Sequence, residues 1–107
     1  MAIRMDKHNH VLWSNRSAAH CGVGNYEKAL EDAERCVKLA PGWGKAYTRK
    51  GAALVGLGQG GEAVKVYLEG LKLDPASESL RQGLGQAKEA INQAKQRYED
   101  YWGKSSD

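Results

Sequence analysis

A 34-residue pattern that occurs twice limits what this chain can fold into. Pro41 and Pro75 lie one such period apart. The segments that end at them, 36–41 and 70–75, share the same order of small, apolar and basic residues before the proline. Upstream, small and aromatic residues coincide at the same offset, in the pairs Trp13 and Tyr47, Ser17 and Gly51, Gly24 and Gly58, and Ala29 and Ala63. A period of this length with a closing proline is typical of stacked helix–turn–helix units.

Within each period, the apolar and small residues recur at helical spacing and predict two amphipathic helices. The predicted helices cover residues 10–21, 26–39, 44–57 and 61–73. Pro41 and Pro75 end the second helix of each period, because proline cannot continue a helix. The inner stripes are predicted to be Trp13, Ser17 and His20; Tyr26, Ala29, Leu30, Ala33 and Val37; Tyr47, Gly51 and Leu54; and Ala63, Val66, Tyr67 and Leu71.

The turns are marked by glycine and by short polar residues. Asn25 and Ser77 are candidate N-caps, since their side chains can accept hydrogen bonds from the first N–H groups of a helix. The turn at 58–61 is rich in glycine, and Gly60 stands where the first period has Tyr26. We therefore expect a packing anchor to be lost there and this turn to be the loosest part of the fold.

A last helix is predicted over residues 78–102, longer than one repeat requires. Its apolar residues follow steps of four and three: Leu80, Leu84, Ala87, Ile91, Ala94, Tyr98 and Tyr101. A solenoid needs such a helix to cover the open face of its last repeat. Two interpretations remain open for the distal half, which is either a solvated tail or a surface that packs on another chain.

The predicted architecture is an all-α solenoid without catalytic or nucleotide-binding motifs. We divide it into 1–9, the end of a preceding repeat whose first part is missing; repeats 10–43 and 44–77; a capping helix 78–102; and a tail 103–107. No Ser/His/Asp constellation or pair of acids stands out, and the glycines at 56–61 follow a helix rather than a strand, unlike a dinucleotide loop. We therefore expect no enzyme activity and no cofactor.

The charge distribution argues against a nucleic-acid or membrane partner. The net charge is +3, and the basic residues are scattered among acidic ones rather than clustered. No apolar run suggests a signal peptide or a membrane span. Cys21 and Cys36 lack the spacing of a disulfide framework, and the histidines and cysteines together do not match a zinc signature. The cytosol is the expected location, with no metal site.

Three polar residues are candidates for binding an anion. Asn15 and Arg49 lie one period apart, so they occupy the same site in successive repeats and should line one groove. Lys45 and Arg49 are one helical turn apart, which places both cations on one face. Arginine offers a fork to a carboxylate, lysine a mobile charge, and asparagine an amide donor. The alternative is that Lys45 and Arg49 are solvated helix residues paired with nearby glutamates.

Three segments, 8–19, 43–54 and 69–75, resemble chaperone-binding tetratricopeptide repeat domains. They are most similar to the first such domain of the heat-shock-organising (stress-inducible, Hop-type) co-chaperones, without most of its first repeat. The resemblance implies binding of the acidic EEVD C-terminus of heat-shock 70 and 90 chaperones by a carboxylate clamp of two lysines, two asparagines and an arginine. Asn15, Lys45 and Arg49 match three of these positions, and the other two belong to a helix before residue 1.

The resemblance leaves two alternatives for function. One is a self-associating scaffold fragment with an impaired groove, in which the face toward the missing helices or the last helix makes a homo-oligomer. The other is the adaptor arm of an enzyme such as a phosphatase or a prolyl isomerase, since those families share the repeat.

Overall fold

The computed structural model describes residues 8–103, which form five helices in sequence order and no strands. The helices are α1 (His10–Gly22), α2 (Tyr26–Leu39), α3 (Gly44–Gly56), α4 (Gly60–Leu73) and α5 (Glu78–Gly103). The all-α fold class is confirmed, and each predicted helix is placed to within one residue at either end. Most of the predicted segment 1–9 and tail 103–107 lies outside the described residues.

The helices pack as two layers. Each helix contacts the next one in sequence, and α3 also contacts α1 and α5. The first helices of the repeats and the last helix, α1, α3 and α5, therefore share one layer, while α2 and α4 form the other. Small side chains allow this close approach, because many of the fully buried residues are small: Ser14, Ser17, Ala29, Ala33, Cys36, Ala46, Ala53, Ala63 and Ala87.

Two glycines give the repeats the same turn. Gly24 and Gly58 have φ angles of +79° and +78°, in the left-handed region that glycine adopts without strain. The N–H of Gly24 donates to the carbonyl of Cys21 at 3.1 Å, and that of Gly58 to the carbonyl of Val55 at 3.0 Å. The period of the sequence is thus present in the backbone as well.

Tyr67 sets the separation of α3 and α5. Its ring is buried between Gly51 on α3 and Gly83 on α5, and a Cβ atom at either glycine would overlap the ring. Burial raises the pKa of the Tyr67 hydroxyl to about 12, because the charged phenolate is disfavoured away from water. The side chain therefore stays neutral and acts as an apolar spacer at neutral pH.

The structure corrects the interpretation of Gly60. Gly60 is itself a packing position, because α5 approaches so closely that a Cβ atom at Gly60 would lie 2.9 Å from Cγ1 of Ile91. The ring of Tyr26, at the matching position of the first repeat, instead lies against Gly56. The missing side chain at Gly60 is therefore what lets α5 pack across the end of α4.

The two predicted N-caps behave differently. Ser77 Oγ accepts a hydrogen bond from the N–H of Leu80 at 3.2 Å, which confirms that cap. Asn25 occupies the N-cap position of α2, but its side chain makes no capping hydrogen bond. The first turn of α2 is therefore held without the predicted side-chain contribution.

The predicted apolar stripe of α5 is buried over only part of its length. Leu80 and Ala87 are fully buried, whereas Ile91 is 40% exposed and Tyr98 and Tyr101 are 66% and 74% exposed. The predicted cap over the last repeat is confirmed up to Ala87. The distal half is exposed because α5 extends past the ends of α3 and α4, and this exposure is compatible with both interpretations left open by the sequence.

Candidate binding groove

Lys45 and Arg49 line one cleft. The cleft has a volume of about 340 Å³ and lies between the start of α3 and the turn that joins α4 to α5. The other residues of its wall are Trp43, Gly44, Thr48, Asp74, Ser77 and Ser79. The predicted pair of cations is therefore brought together on one face of α3.

Arg49 is held in place by the first repeat. It is half-buried, and its Nε donates to Oγ of Ser14 on α1 at 3.1 Å, while Ser14 itself is fully buried. Within residues 8–103, neither Arg49 nor Lys45 forms an ion pair with a carboxylate. The alternative of cations paired with nearby glutamates is therefore not observed.

Asn15 lies beside this arrangement rather than in the cleft wall. It is exposed on α1 and is the chain neighbour of Ser14, to which Arg49 is bonded. The wall of the Lys45 and Arg49 cleft is formed by α3 and the α4–α5 turn, and it does not include Asn15. Two of the three predicted residues thus share one cleft, and Asn15 is connected to them only as the chain neighbour of Ser14.

The electrostatics of the cleft favour an anion. Lys45 and Arg49 bring two positive charges, whereas Asp74 is the one carboxylate in the described wall. The start of α3 adds a partial positive charge, since its first turn contains no acidic residue and its N-cap makes no side-chain hydrogen bond. Among the described residues, the cations exceed the carboxylates in this cleft.

The charge of Arg49 also affects the pKa of the two cysteine thiols. Burial raises the pKa of the Cys21 and Cys36 thiols, and the nearby Arg49 charge partly opposes this rise. Both cysteines are unbonded to each other, as predicted. With raised pKa values the two thiols stay protonated at neutral pH and do not neutralise the guanidinium.

A second cleft follows the same layer toward the far end of α3. It has a volume of about 590 Å³, and its wall is made of Val55, Gln82, Gly85, Gln86, Glu89, Ala90 and Gln93. Side-chain amides dominate this wall, and they can bond the backbone of an extended peptide in either direction. The face formed by α3 and α5 therefore carries two separate clefts, a cationic one at Lys45 and an amide-rich one at Val55.

Sequence reasoning missed several residues of the cationic cleft. Ser79 lies one period after Lys45, so extending the period into α5 would have found it. Asp74 and Ser77 are brought in by the fold of the α4–α5 turn, and no local signal in the sequence points to them. Ser14 precedes Asn15, but a small residue on a helix carries no sign of a partner on another helix.

Two further classes of site are absent from residues 8–103. No group of three or more histidine, cysteine or acidic side chains is placed to hold a metal ion in that part of the chain. None of the five described helices is long and apolar enough to cross a membrane.

Comparison with known proteins identifies the family. Models of the tetratricopeptide repeat match residues 10–43 and 44–77. The chain belongs to the tetratricopeptide repeat family. It is 51% identical over 89 residues to the Hsp70-Hsp90 organizing protein of Triticum aestivum, a match that covers 83% of this chain. The chain spans only 15% of the length of that wheat protein.

Two solved tetratricopeptide repeat domains are similar in structure. One is the second such domain of human RPAP3, in complex with the HSP70 peptide SGPTIEEVD, with a TM-score of 0.73 and 30% identity over 78% of this chain and 69% of that one. The other is the first such domain of Spaghetti (RPAP3), bound to the HSP90 peptide SRMEEVD, with a TM-score of 0.73 and 32% identity over 81% of this chain and 69% of that one.

Proposed function

We propose that this chain is a co-chaperone module that binds the acidic C-terminal peptides of heat-shock 70 and 90 chaperones. The observation that carries the proposal is the cleft in which Lys45 and Arg49 lie together without an ion-pair partner among residues 8–103. Two cations one turn apart repel each other, so an anion between them relieves an existing cost.

Each residue has a separate role in the proposed complex. Arg49 is pre-oriented because Ser14 already accepts from its Nε, which leaves the terminal nitrogens of the guanidinium for a carboxylate. Lys45 is exposed at the start of α3 and supplies a mobile charge. Asn15 donates through its amide from α1. The peptide's terminal carboxylates therefore meet donors from two repeats.

The chemistry of the peptides bound by the similar domains supports this choice of ligand. The HSP70 peptide bound to the second domain of human RPAP3 and the HSP90 peptide bound to Spaghetti both end in EEVD. Such an end carries acidic side chains as well as the terminal carboxylate, which suits a cleft with more cations than carboxylates. The proposed role is binding without catalysis, in the cytosol, where the two thiols of Cys21 and Cys36 stay reduced.

Substitution of the two cations tests the proposal. In the 107-residue chain, we expect Arg49→Ala and Lys45→Ala each to weaken binding of a peptide ending in EEVD by about tenfold or more, since a hydrogen bond to a charged group contributes about 1.5–3 kcal/mol. Calorimetric titration at low salt gives the affinities.

The matched control is Lys72→Ala, which removes an exposed lysine of α4 on the other layer of the fold. It lowers the net charge by the same amount and should leave the affinity nearly unchanged. An equal loss in all three variants would mean that only net charge matters, and an unchanged affinity in Lys45→Ala and Arg49→Ala would contradict the site.

A further inference from the structure

The distal half of α5 carries a surface that is not part of the Lys45 and Arg49 cleft. The first turns of α5 are buried through Leu80, Gly83 and Ala87, and from residue 92 onward every described side chain is exposed. A helix extension that only capped the last repeat would be expected to be polar all round. This one keeps its apolar stripe after leaving the bundle.

The exposed stripe ends in a cluster of aromatic rings. Trp102 lies against Tyr101, with ring centroids 4.9 Å apart in an edge-to-face arrangement, and 6.1 Å from the ring of Tyr98. The exposed fractions of Tyr98, Tyr101 and Trp102 are 66%, 74% and 56%. Contiguous exposed apolar groups of this kind mark interaction sites, and aromatic side chains dominate the binding energy of interfaces.

A notch lies beside the stripe where α5 leaves the bundle. It has a volume of about 300 Å³ and is lined by Val55, Gly58, Gly60, Gly61, Ala90, Ile91, Ala94 and Arg97. The glycine-rich turn contributes no side chains here, so the lining is backbone and apolar side chains, with Arg97 as the one charged residue among these. Such a notch can accept one large apolar side chain from a partner.

The charges that border the stripe are positive. With about 100° between successive helical residues, the centre of the stripe lies between Tyr101 and Trp102, and Lys95 and Arg97 lie about 70° and 90° from it on opposite sides. Glu99 and Asp100 lie farther round, at about 110° and 150°. A partner helix on the stripe therefore meets a cation on each side.

These charges discriminate between possible occupants. A second copy of α5, parallel or antiparallel, would set cationic borders against cationic borders, which is unfavourable. Long-range attraction to an anionic membrane is also not expected, because Lys95 and Arg97 are balanced by Glu99 and Asp100 over residues 91–103. At contact range, where the bordering residues decide, an acidic helix is the complementary partner.

We propose that residues 91–102, together with the notch, form a docking surface for an amphipathic helix of another protein whose apolar face is bordered by carboxylates. One large apolar residue of that helix fills the notch beside Arg97. The rest of its apolar face covers Tyr98, Tyr101 and Trp102, and its carboxylates pair with Lys95 and Arg97. This surface is separate from the Lys45 and Arg49 cleft, so the module can hold a chaperone peptide and a second protein at once.

A pair of synthetic helices tests the proposal on the whole chain. Both probes have leucine along one face and an amidated C-terminus; one has glutamate at the positions bordering the leucines, and the control has lysine there. By calorimetric titration we expect the glutamate peptide to bind at least tenfold more tightly than the lysine peptide. The double substitution Lys95→Glu with Arg97→Glu should reverse that preference, and Tyr98→Ala with Tyr101→Ala should abolish binding.

The substituted residues are exposed, so we expect both double variants to fold, and separate measurements check this. Helical circular dichroism and the affinity for an EEVD peptide should be unchanged in both double variants, and Arg49→Ala should not alter binding of the glutamate probe. Equal affinity for the two probes would overturn the proposal. So would binding to vesicles of phosphatidylserine and phosphatidylcholine without peptide binding, or a mass that rises with concentration and falls on Tyr98→Ala, which would indicate a second copy.

Discussion

The two repeats share a backbone but are held together by different chemistry. Arg16 and Lys50 occupy the same position of successive repeats. Arg16 makes two hydrogen bonds of 2.7 and 3.0 Å to Asp32, which is 1% exposed. Lys50 lies 3.9 Å from Glu34, whose side chain is 55% exposed. Arg16 therefore has a buried ion-pair partner within the first repeat, whereas Lys50 has only a loose surface contact with Glu34 of the first repeat.

The same contrast appears one position further along. Ser17 donates to the carbonyl of Ala29 at 2.7 Å, whereas its counterpart Gly51 leaves room for the ring of Tyr67. Ala33 of the first repeat stands where the second has Tyr67. At these positions the first repeat buries small and charged groups, whereas the second buries the aromatic ring of Tyr67. The period of the sequence thus determines the path of the backbone, but it does not determine which contacts stabilise each repeat.

A buried polar group of the first repeat has a consequence for the Lys45 and Arg49 cleft. Buried Ser14 accepts from Arg49, so a hydroxyl inside the first repeat orients a cation of the second. This hydrogen bond crosses the repeat boundary. The affinity of a ligand that binds Arg49 should therefore also depend on α1.

Removal of Tyr67 should have the largest effect on stability. It tests most directly whether the second repeat is stabilised by its buried aromatic ring. Tyr67→Ala should cost about 3–5 kcal/mol, as for other large buried aromatic residues. Gly51→Ala should cost about 1–3 kcal/mol because the added methyl overlaps the ring. Urea denaturation monitored by circular dichroism gives both values.

The double variant checks that these two effects share one cause. Gly51→Ala added to Tyr67→Ala should cost no further stability, because the ring that the methyl group meets is gone. Additive losses would mean that Gly51 matters for a reason other than the Tyr67 ring.

Removal of the buried carboxylate should have the next largest effect. Asp32→Ala should cost about 2 kcal/mol, because Arg16 loses both of its charge-assisted hydrogen bonds. Glu34→Ala, which breaks the corresponding contact of Lys50, should cost less than about 0.5 kcal/mol. Equal losses in thermal or urea unfolding would show that the contacts of Arg16 and Lys50 do not differ as described.

The smallest expected effect distinguishes glycines that are needed from glycines that are not. Gly83 faces the Tyr67 ring, whereas a Cβ atom at Gly85, two residues later in α5, would have no atom within 4 Å. Gly85→Ala should therefore stabilise the protein by about 0.5–1 kcal/mol through helix propensity, while Gly83→Ala destabilises it. A loss of stability in Gly85→Ala would contradict the packing of α5.

The bounds of the helices were predictable because the residues that end a helix act locally. Pro41 and Pro75 forbid continuation, and Gly24 and Gly58 supply the left-handed turn, so the bounds follow from the residues at those positions. Burial was predicted less well: Asp32 is charged, and its burial depends on Arg16 from another helix. The environment of Tyr98 and Tyr101 stayed open, because their spacing cannot show where the neighbouring helices end.

The candidate site was predictable in part for the same reason. Lys45 and Arg49 share a face because residues one turn apart must do so. Asp74, Ser77 and the hydrogen bond from Arg49 to Ser14 arise from contacts between segments distant in sequence, which no helical spacing reveals.

The central claim is that the cleft at Lys45 and Arg49 binds a terminal carboxylate. Its most direct test is a calorimetric titration of the 107-residue chain with two peptides ending in EEVD, one with a free C-terminal acid and one amidated. We predict binding of the acid and at least tenfold weaker binding of the amide, because the amide lacks the charge that meets Lys45 and Arg49. Equal binding of the two peptides, or binding of neither, would contradict it.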